Sequence, residues 1–244
     1  MNKNWFEDWF DSPYYHILYR DRDEIEAREF IDHLCKHLKI KKDAKILDLA
    51  CGKGRHALHL AKKGFQTIGI DLSKESIKEA TKNAVSNVIF EVHDMQKTYK
   101  AQHFNYVFNL FTSFGYFDEQ SENENVLKAA AANLCPDGIF VLDFMNVTKV
   151  IANLVNKETK TLNGLTFDIS RSYNGNQLIK NILVKKGNDK FSFQERVAAY
   201  TLNTINDMAN KAGLRITEIY GDYHLKSFDE KHSNRLILIM KLNH

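Results

Sequence analysis

Three carboxylates, each at or near the end of a short apolar segment, are the residues most able to bind a ligand. Asp48 lies in KILDLA, Asp71 ends QTIGID, and Asp94 follows VIFEVH. The segment LDLACGKG continues with Gly52 and Gly54, where backbone without a side chain can approach a ligand closely. Amide groups at the start of the next helix can also hold a ligand carboxylate or phosphate. The pattern predicts a binding site at the ends of strands.

The elements that must position these acids are those of a parallel sheet. From Lys45 onward, short apolar segments alternate with longer amphipathic ones, which is typical of strands joined by crossover helices. We predict strands at KILDLA, QTIGID, VIFEVHD, FNYVFNLF and GIFVLDFM, and helices over about 55–63, 74–85 and 122–134. This is a doubly wound α/β fold, in which ligands bind outside the carboxyl ends of the strands.

The alternation ends after Met145. TFDISRSY, LIKNILVKK and KFSFQERVAAY predict a small antiparallel β insertion of three strands over about 160–200. A helix in TLNTINDMANKAG and strands in LRITEIYGD and NRLILIMKL then complete a seven-stranded sheet over 201–244. Residues 1–40 carry apolar side chains at helical spacing, which predicts a helical lid over the carboxyl edge. We expect a single domain with its ligand-binding core at 45–145.

Composition argues against several classes of protein. The chain has 34 Lys and Arg against 31 Asp and Glu, mixed along its length, which does not indicate nucleic-acid binding. Cys35, Cys51 and Cys135 are widely spaced and odd in number, so we predict reduced thiols and no metal site. No segment has the roughly 18 apolar residues of a membrane span, and the N-terminus lacks an apolar signal core. We expect a cytoplasmic protein with no membrane partner.

Two ligands fit the glycine loop. GKGRHA matches the G-x-G-x-x-A pattern of dinucleotide sites, which predicts an NAD-dependent oxidoreductase. Such a site needs an acid for the ribose hydroxyls, at Asp71, but no acids at the ends of the first and third strands. Each acid alone could equally be a cap or turn residue. Acids at all three strand ends therefore favour a different ligand, for which Asp71 would meet ribose hydroxyls and Asp94 an adenine amine.

On these residues the chain resembles the class I S-adenosylmethionine-dependent methyltransferases, which have a Rossmann-like fold. The resemblance rests on ILDLACGKGRHALHLA, TIGIDLS, HDM and NLFTSFGYF, and it hardly covers the insertion. It departs at Ala50, where many members have glycine, so a tighter loop is expected. It implies S-adenosyl-L-methionine as the cofactor, held through its methionine by Asp48 and the loop of Ala50, Gly52 and Gly54, through its ribose by Asp71, and through its adenine by Asp94, Met95 and Leu72.

Four further residues are candidates for cofactor contact. Arg55 begins the helix after the loop and could bind the cofactor carboxylate or lie exposed in the first turn. Leu110 belongs to NLFTSFGYF, the segment after the fourth strand. Tyr15 and Arg20 lie in an aromatic N-terminal segment that, by the same resemblance, folds over the cofactor; otherwise the segment packs as an amphipathic cover.

The expected activity is methyl transfer to N or O of a small-molecule acceptor. A sulfonium methyl is already activated, so the enzyme mainly aligns a nucleophile and excludes water, and a base is optional. His16, His93 and His224 are candidate bases, and the catalytic residues stay unassigned. The insertion is expected to roof the acceptor pocket or to form a homodimer contact through an edge strand. A non-catalytic module that binds S-adenosylmethionine is the remaining alternative.

Overall fold

The computed structural model describes residues 5–19 and 24–243. In chain order its elements are α1 (Trp5–Phe10), α2 (Pro13–Leu18), α3 (Glu24–His37), β1 (Lys45–Leu49), α4 (Arg55–Lys62), β2 (Gln66–Asp71), α5 (Lys74–Lys82), β3 (Val88–Val92), β4 (Phe104–Asn109), α6 (Gln120–Asn133), β5 (Leu134–Met145), α7 (Val147–Ala152), β6 (Lys157–Leu162), β7 (Leu165–Tyr173), β8 (Gln177–Lys186), β9 (Asp189–Ala198), α8 (Leu202–Lys211), β10 (Leu214–Tyr220) and β11 (Arg235–Leu242). In this part of the chain, no helix is long and apolar enough to cross a bilayer.

Seven strands form one mixed sheet in the order β10-β11-β5-β4-β1-β2-β3. Strands β1 to β5 are parallel, and β11 runs antiparallel between β5 and β10. The chain moves outward from β1 to β3 on one side and returns through β4 on the other. The loops after β1 and β4 therefore separate and leave a crevice at the carboxyl edge. The predicted doubly wound, seven-stranded α/β sheet is confirmed.

Helices cover both faces of this sheet, because adjacent residues of a buried strand point to opposite sides. Ile46 and Leu47 of β1 are both fully buried. Ile46 packs with Phe30 of α3 and Leu60 of α4, whereas Leu47 shares a core cluster with Val126 of α6. The apolar stripe of α3 thus packs on a face of the sheet. Its predicted position over the carboxyl edge is wrong.

A separate four-stranded antiparallel sheet, β6-β7-β8-β9, follows α7. It is the predicted insertion with one more strand, and it begins at Lys157. The sequence did not indicate β6, because KETKTL lacks apolar alternation and forms a mostly exposed edge strand. Strands β7 to β9 do carry the alternation and were predicted.

Helices α1 and α2 join the insertion to the large sheet. We call residues 5–19 the N-terminal cover. Trp9 is fully buried and packs with Phe167 and Ile182 on the inner face of the insertion. Trp5 and Phe10 contact both that cluster and the main core. The cover therefore packs against both the insertion and the main core.

Candidate active site

A cavity of about 380 Å³ opens at the carboxyl edge, where the strand order reverses. Asp48 and Gly54 are not among its lining residues, and Arg20 lies outside the described residues. The other residues predicted to contact the cofactor all line it: Tyr15, Ala50, Gly52, Arg55, Asp71, Leu72, Asp94, Met95 and Leu110. The predicted site thus converges on one cavity.

Asp71 ends β2 and faces the glycine loop. Its Oδ2 accepts a hydrogen bond from the Gly52 amide at 2.8 Å, and its Oδ1 accepts one from the Ser73 amide at 2.8 Å. Burial raises the pKa of Asp71, and these amide hydrogen bonds oppose the shift. Two amides leave further lone pairs on the carboxylate, so it can also accept from ligand hydroxyls.

Asp48 is buried behind the loop at 1% exposure. Its Oδ2 has no hydrogen-bond partner within residues 5–19 and 24–243. Burial raises its pKa from 3.8 to about 7; the Ala57 amide opposes this shift, while the negative charge of Asp71 adds to it. A buried carboxylate oxygen without a partner is costly, and a cationic ligand group would relieve that cost.

The loop between β1 and α4 adopts left-handed backbone at three positions. Ala50 has φ +56°, which is strained for a residue with a side chain and agrees with the tight loop expected there. A Cβ on Gly52 would meet no described atom within 4 Å, so this backbone is open to a ligand. A Cβ on Gly54 would lie 2.5 Å from Phe90. Gly54 therefore serves packing rather than ligand approach.

The part of the cavity beyond β3 is lined by Asp94, Met95 and Leu72. Asp94 follows this strand, and its Oδ1 accepts a hydrogen bond from the Gln96 amide at 3.0 Å. Met95 is buried at 9% exposure, and Leu72 lies at the rim with 42% of its surface exposed. A carboxylate next to two apolar side chains suits an aromatic base that carries an amine.

Aromatic side chains wall the opposite side. The Phe10 ring lies 5.0 Å from that of Tyr15 in the cover and 5.4 Å from that of Tyr116 after β4. The Arg55 guanidinium stacks 4.1 Å from the centroid of the Phe111 ring. Arg55 is thus held across the cavity instead of extending into solvent. Aromatic faces of this kind favour cationic ligands.

Two of the three predicted bases reach the cavity. His16 and His93 line it, whereas His224 is absent from its described lining and packs 5.1 Å from the His33 ring. Burial and the nearby Lys53 lower the pKa of His16. His56, which was not predicted, also lines the cavity, and burial lowers its pKa to about 3. His56 is therefore neutral at physiological pH.

An ion pair behind the turn after β4 was not predicted from the sequence. Asp143 of β5 is fully buried, and Arg235 of β11 donates from Nε to its Oδ1 at 2.8 Å. A signal was present, since Asp143 interrupts the apolar strand GIFVLDFM and Arg235 opens the apolar strand RLILIMKL. A charge in a buried strand requires a partner. Which partner it finds depends on strand pairing.

Taken together, these features fit the cofactor implied by the resemblance. The unpartnered Asp48 oxygen suits a cationic amino group, and Gly52 leaves space for a ligand against the backbone. Asp71 suits ribose hydroxyls, and Asp94 suits the adenine amine.

Comparison with known proteins identifies the family. Residues 40–194 match the family described as Methyltransferase domain, which is more than half of the chain. The chain therefore belongs to this methyltransferase family, as predicted from the strand-end acids and the glycine loop. The YqeM protein of Bacillus subtilis is 30% identical over 133 residues, covering 52% of this chain and 54% of that protein.

A second relative has a more specific name. The dTDP-3-amino-3,6-dideoxy-alpha-D-glucopyranose N,N-dimethyltransferase of Streptomyces fradiae is 32% identical over 102 residues, covering 42% of this chain and 40% of that protein. The chain thus matches about half the length of these curated relatives.

The fold is also that of a solved enzyme. A S-adenosylmethionine-dependent methyltransferase from Clostridium acetobutylicum superimposes with a TM-score of 0.81 at 22% identity, covering 95% of this chain and 96% of that one. This similarity covers nearly the whole chain, including most of the insertion, which the sequence resemblance hardly covers.

Proposed function

We propose that this protein is a S-adenosylmethionine-dependent methyltransferase that methylates N or O of a small-molecule acceptor. The observation that carries the proposal is the convergence of Asp71, Asp94 and the open Gly52 backbone on one cavity, beside the unpartnered oxygen of Asp48. Asp71 binds the ribose, and Asp94 with Met95 binds the adenine. Asp48 and the glycine loop hold the methionine.

The chain's own contribution to the reaction is alignment and exclusion of water. When bound, the cofactor supplies a methyl group on a positively charged sulfur, which is an activated leaving group. Phe6, Phe10 and Tyr15 of the cover line one side of the cavity. Tyr116, which follows β4, extends this wall. Apolar walls exclude water and hold an acceptor against the methyl group, which suffices for a nucleophile that arrives unprotonated.

Among N and O acceptors, we propose an amine. Positive charge appears on an amine nitrogen as it takes up the methyl group, and the faces of Phe10, Tyr15 and Tyr116 stabilise such charge. The name of the Streptomyces fradiae relative describes dimethylation of an amino sugar. A small amine on a polar ring is therefore the first acceptor class to test.

Calorimetry with the demethylated cofactor, S-adenosylhomocysteine, tests cofactor binding. We expect binding to the wild type and an affinity about 10 to 100 times lower for Asp71→Ala, because the variant loses hydrogen bonds to a charged acceptor. Asp207→Ala removes an exposed carboxylate of α8 and serves as the control, with unchanged affinity expected.

Transfer of a labelled methyl group to a panel of small amines, alcohols, peptides and RNA then tests the activity. Labelled amines support the proposal. Tight NAD binding without S-adenosylhomocysteine binding contradicts it and supports the oxidoreductase alternative. Cofactor binding with no transfer to any acceptor supports the non-catalytic module.

The location and assembly of the protein stay predictions. We propose a cytoplasmic enzyme that uses neither membrane nor nucleic acid. The predicted homodimer contact would use an edge strand of the insertion, and sedimentation velocity tests it. Exposed Lys157 and Lys160 on β6 oppose pairing at that edge, so β9 is the edge to mutate first.

A further inference from the structure

The turn that follows β4 has an unusual backbone. Phe111 and Thr112 are consecutive, carry side chains, and have φ values of +63° and +60°. Left-handed backbone is unfavourable for an aromatic and even more so for a β-branched residue. Such a strained conformation persists only where its surroundings impose it. Something must therefore hold this turn in place.

The buried pair of Asp143 and Arg235 holds it. The Phe111 amide donates to Asp143 Oδ2 at 2.7 Å, and the Thr112 amide donates to the Asp143 carbonyl at 2.9 Å. Arg235 donates from Nε to Asp143 Oδ1 and from Nη2 to Thr112 Oγ1, both at 2.8 Å. The Tyr223 hydroxyl donates to Asp143 Oδ2 at 3.2 Å. Backbone and side chain of the turn are thus bound by the same two charged residues.

The order of the strands indicates which part of a ligand this turn faces. Asp71 ends β2, and Asp94 follows β3 at the edge of the sheet. If they bind ribose and adenine, the rest of the cofactor extends the other way, toward the loops after β1 and β4. Phe111 and Arg55 form the wall there, 4.1 Å apart, and both line the cavity.

We propose that Asp143 and Arg235 are positioning residues for the methionine half of the cofactor. They hold the strained turn at Phe111 and Thr112 and so set the wall of the cavity at the end where the methyl group is transferred. This inference rests on the proposed function. A buried ion pair is weak evidence for a role in stability, because removing two charges from water offsets their attraction. Its three hydrogen bonds to one turn indicate a role in geometry.

Two ligands that differ only in the amino-acid part test this role. S-adenosylhomocysteine carries both halves, whereas methylthioadenosine keeps the nucleoside and lacks the amino acid. In Arg235→Lys the charge remains, but one ammonium cannot reproduce the fixed fork that reaches both Asp143 and Thr112. We expect the affinity for S-adenosylhomocysteine to fall roughly tenfold or more and the affinity for methylthioadenosine to change by less than about twofold.

Two further variants separate positioning from folding. Thr112→Val removes the hydroxyl that accepts from Arg235, and Thr112→Ser keeps it. We expect the valine variant to reproduce the selective loss and the serine variant to restore most of the affinity. Arg171→Lys is the matched control, since Arg171 binds Glu158 at 2.8 Å in the insertion, away from the cavity. If Arg235→Lys does not fold, the pair of Thr112 variants decides.

The outcomes are distinct from those that test the proposed function. Selective loss of S-adenosylhomocysteine binding supports the positioning role. Equal weakening of both ligands, or unchanged binding in Arg235→Lys and Thr112→Val, overturns it. A wild type that binds neither ligand instead contradicts the proposed function itself.

Discussion

Single buried carboxylates account for much of the chemistry of this site. Asp71 is satisfied by backbone amides, so it is held in place before a ligand arrives. Asp48 retains an unpartnered oxygen at 1% exposure. The same residue type at neighbouring strand ends therefore has different properties, because its surroundings differ. The first is preorganised for hydroxyls, and the second is costly when ionised without a ligand.

The titration of Asp48 should appear in the stability of the ligand-free protein. Its pKa is raised from 3.8 to about 7 in the folded state. Between these values the folded state binds the proton more tightly than the unfolded chain, so the free energy of unfolding falls as the pH rises. We expect Asp48→Asn to remove this dependence. Relative to wild type, its unfolding free energy should rise by about 2 kcal/mol from about pH 5 to about pH 6.5.

Urea unfolding at several pH values measures this difference. If the unfolding free energies of the wild type and Asp48→Asn change in parallel with pH, the carboxyl does not titrate in this range. Asp189→Asn, at an exposed position that starts β9, controls for loss of a negative charge.

Gly54 provides a second prediction for a single residue. In Gly54→Ala, the alanine would have a strained φ of +80° and a Cβ only 2.5 Å from the buried Phe90 ring. Gly175 has a φ of +99°, but a Cβ there would meet no described atom within 4 Å. We expect Gly175→Ala to cost about 1 kcal/mol of stability and Gly54→Ala to cost about 1–3 kcal/mol more. Urea unfolding measures both variants. If Gly54→Ala and Gly175→Ala lose the same free energy of unfolding, contact with Phe90 does not contribute.

At the scale of elements, the N-terminal cover is held by a polar cluster on the insertion. Glu195 Oε1 accepts hydrogen bonds from the Trp9 indole and the Tyr19 hydroxyl, both at 2.6 Å. Lys180 lies 3.3 Å from Oε2 of the same carboxylate. One carboxylate thus joins α1 and the end of the cover to β8 and β9. Because the cover lines the cavity, we expect release of the proposed cofactor to require movement of the cover.

Glu195→Ala should loosen the cover. Removing this acceptor takes away the hydrogen bond of the buried Trp9 indole, which costs about 1–3 kcal/mol, and also the bond from the Tyr19 hydroxyl. We expect S-adenosylhomocysteine to dissociate roughly tenfold faster, as measured by stopped flow. Trp5 and Trp9 are the two tryptophans of the chain, so intrinsic fluorescence reports on the cover and should shift to longer wavelength.

A matched control comes from the same insertion. Glu158→Ala breaks the pair with Arg171. It should leave both the dissociation rate of S-adenosylhomocysteine and the tryptophan fluorescence unchanged. Similar dissociation rates for wild type and Glu195→Ala would mean that the cover does not limit release.

At the scale of the whole molecule, the described residues form two packed units that we expect to differ in stability. The clusters around Ile46 and Leu47 pack between the large sheet and its helices. The cluster around Trp9 and Phe167 lies between the insertion and the cover. Polar contacts join the insertion directly to the core, among them the Ala198 amide to the Gly115 carbonyl at 2.8 Å and Arg196 to Asp118 at 3.1 Å. The cover adds an apolar connection.

Hydrogen exchange should reveal this division. Local openings follow units that share buried apolar contacts, so we expect residues 5–19 and strands β6 to β9 to exchange together and faster than β1, β4 and β5. S-adenosylhomocysteine should slow exchange in the cover more than in β7 and β8. Exchange of the insertion at the rate of the central strands would instead indicate one cooperative unit.

Much of this arrangement was predictable from local sequence patterns. Strand alternation, helix periodicity and the acids at or near the ends of β1, β2 and β3 are properties of short segments, and parallel strands necessarily bring their carboxyl ends to one edge. The positions of Asp71 and Asp94 in one cavity, with Asp48 behind its loop, follow from that rule. Strand β6 was missed because an exposed edge strand carries no apolar alternation.

Only the tertiary structure decided the contacts between distant segments. Asp143 and Arg235 are 92 residues apart and meet because β5 pairs with β11. Position 54 must be glycine because Phe90 packs against it and leaves no room for a side chain. Helix α3 covers a face of the sheet because its apolar side chains pack against those of that face. Local periodicity shows which face of an element is apolar but not which other element covers it. That choice depends on how all the elements pack together.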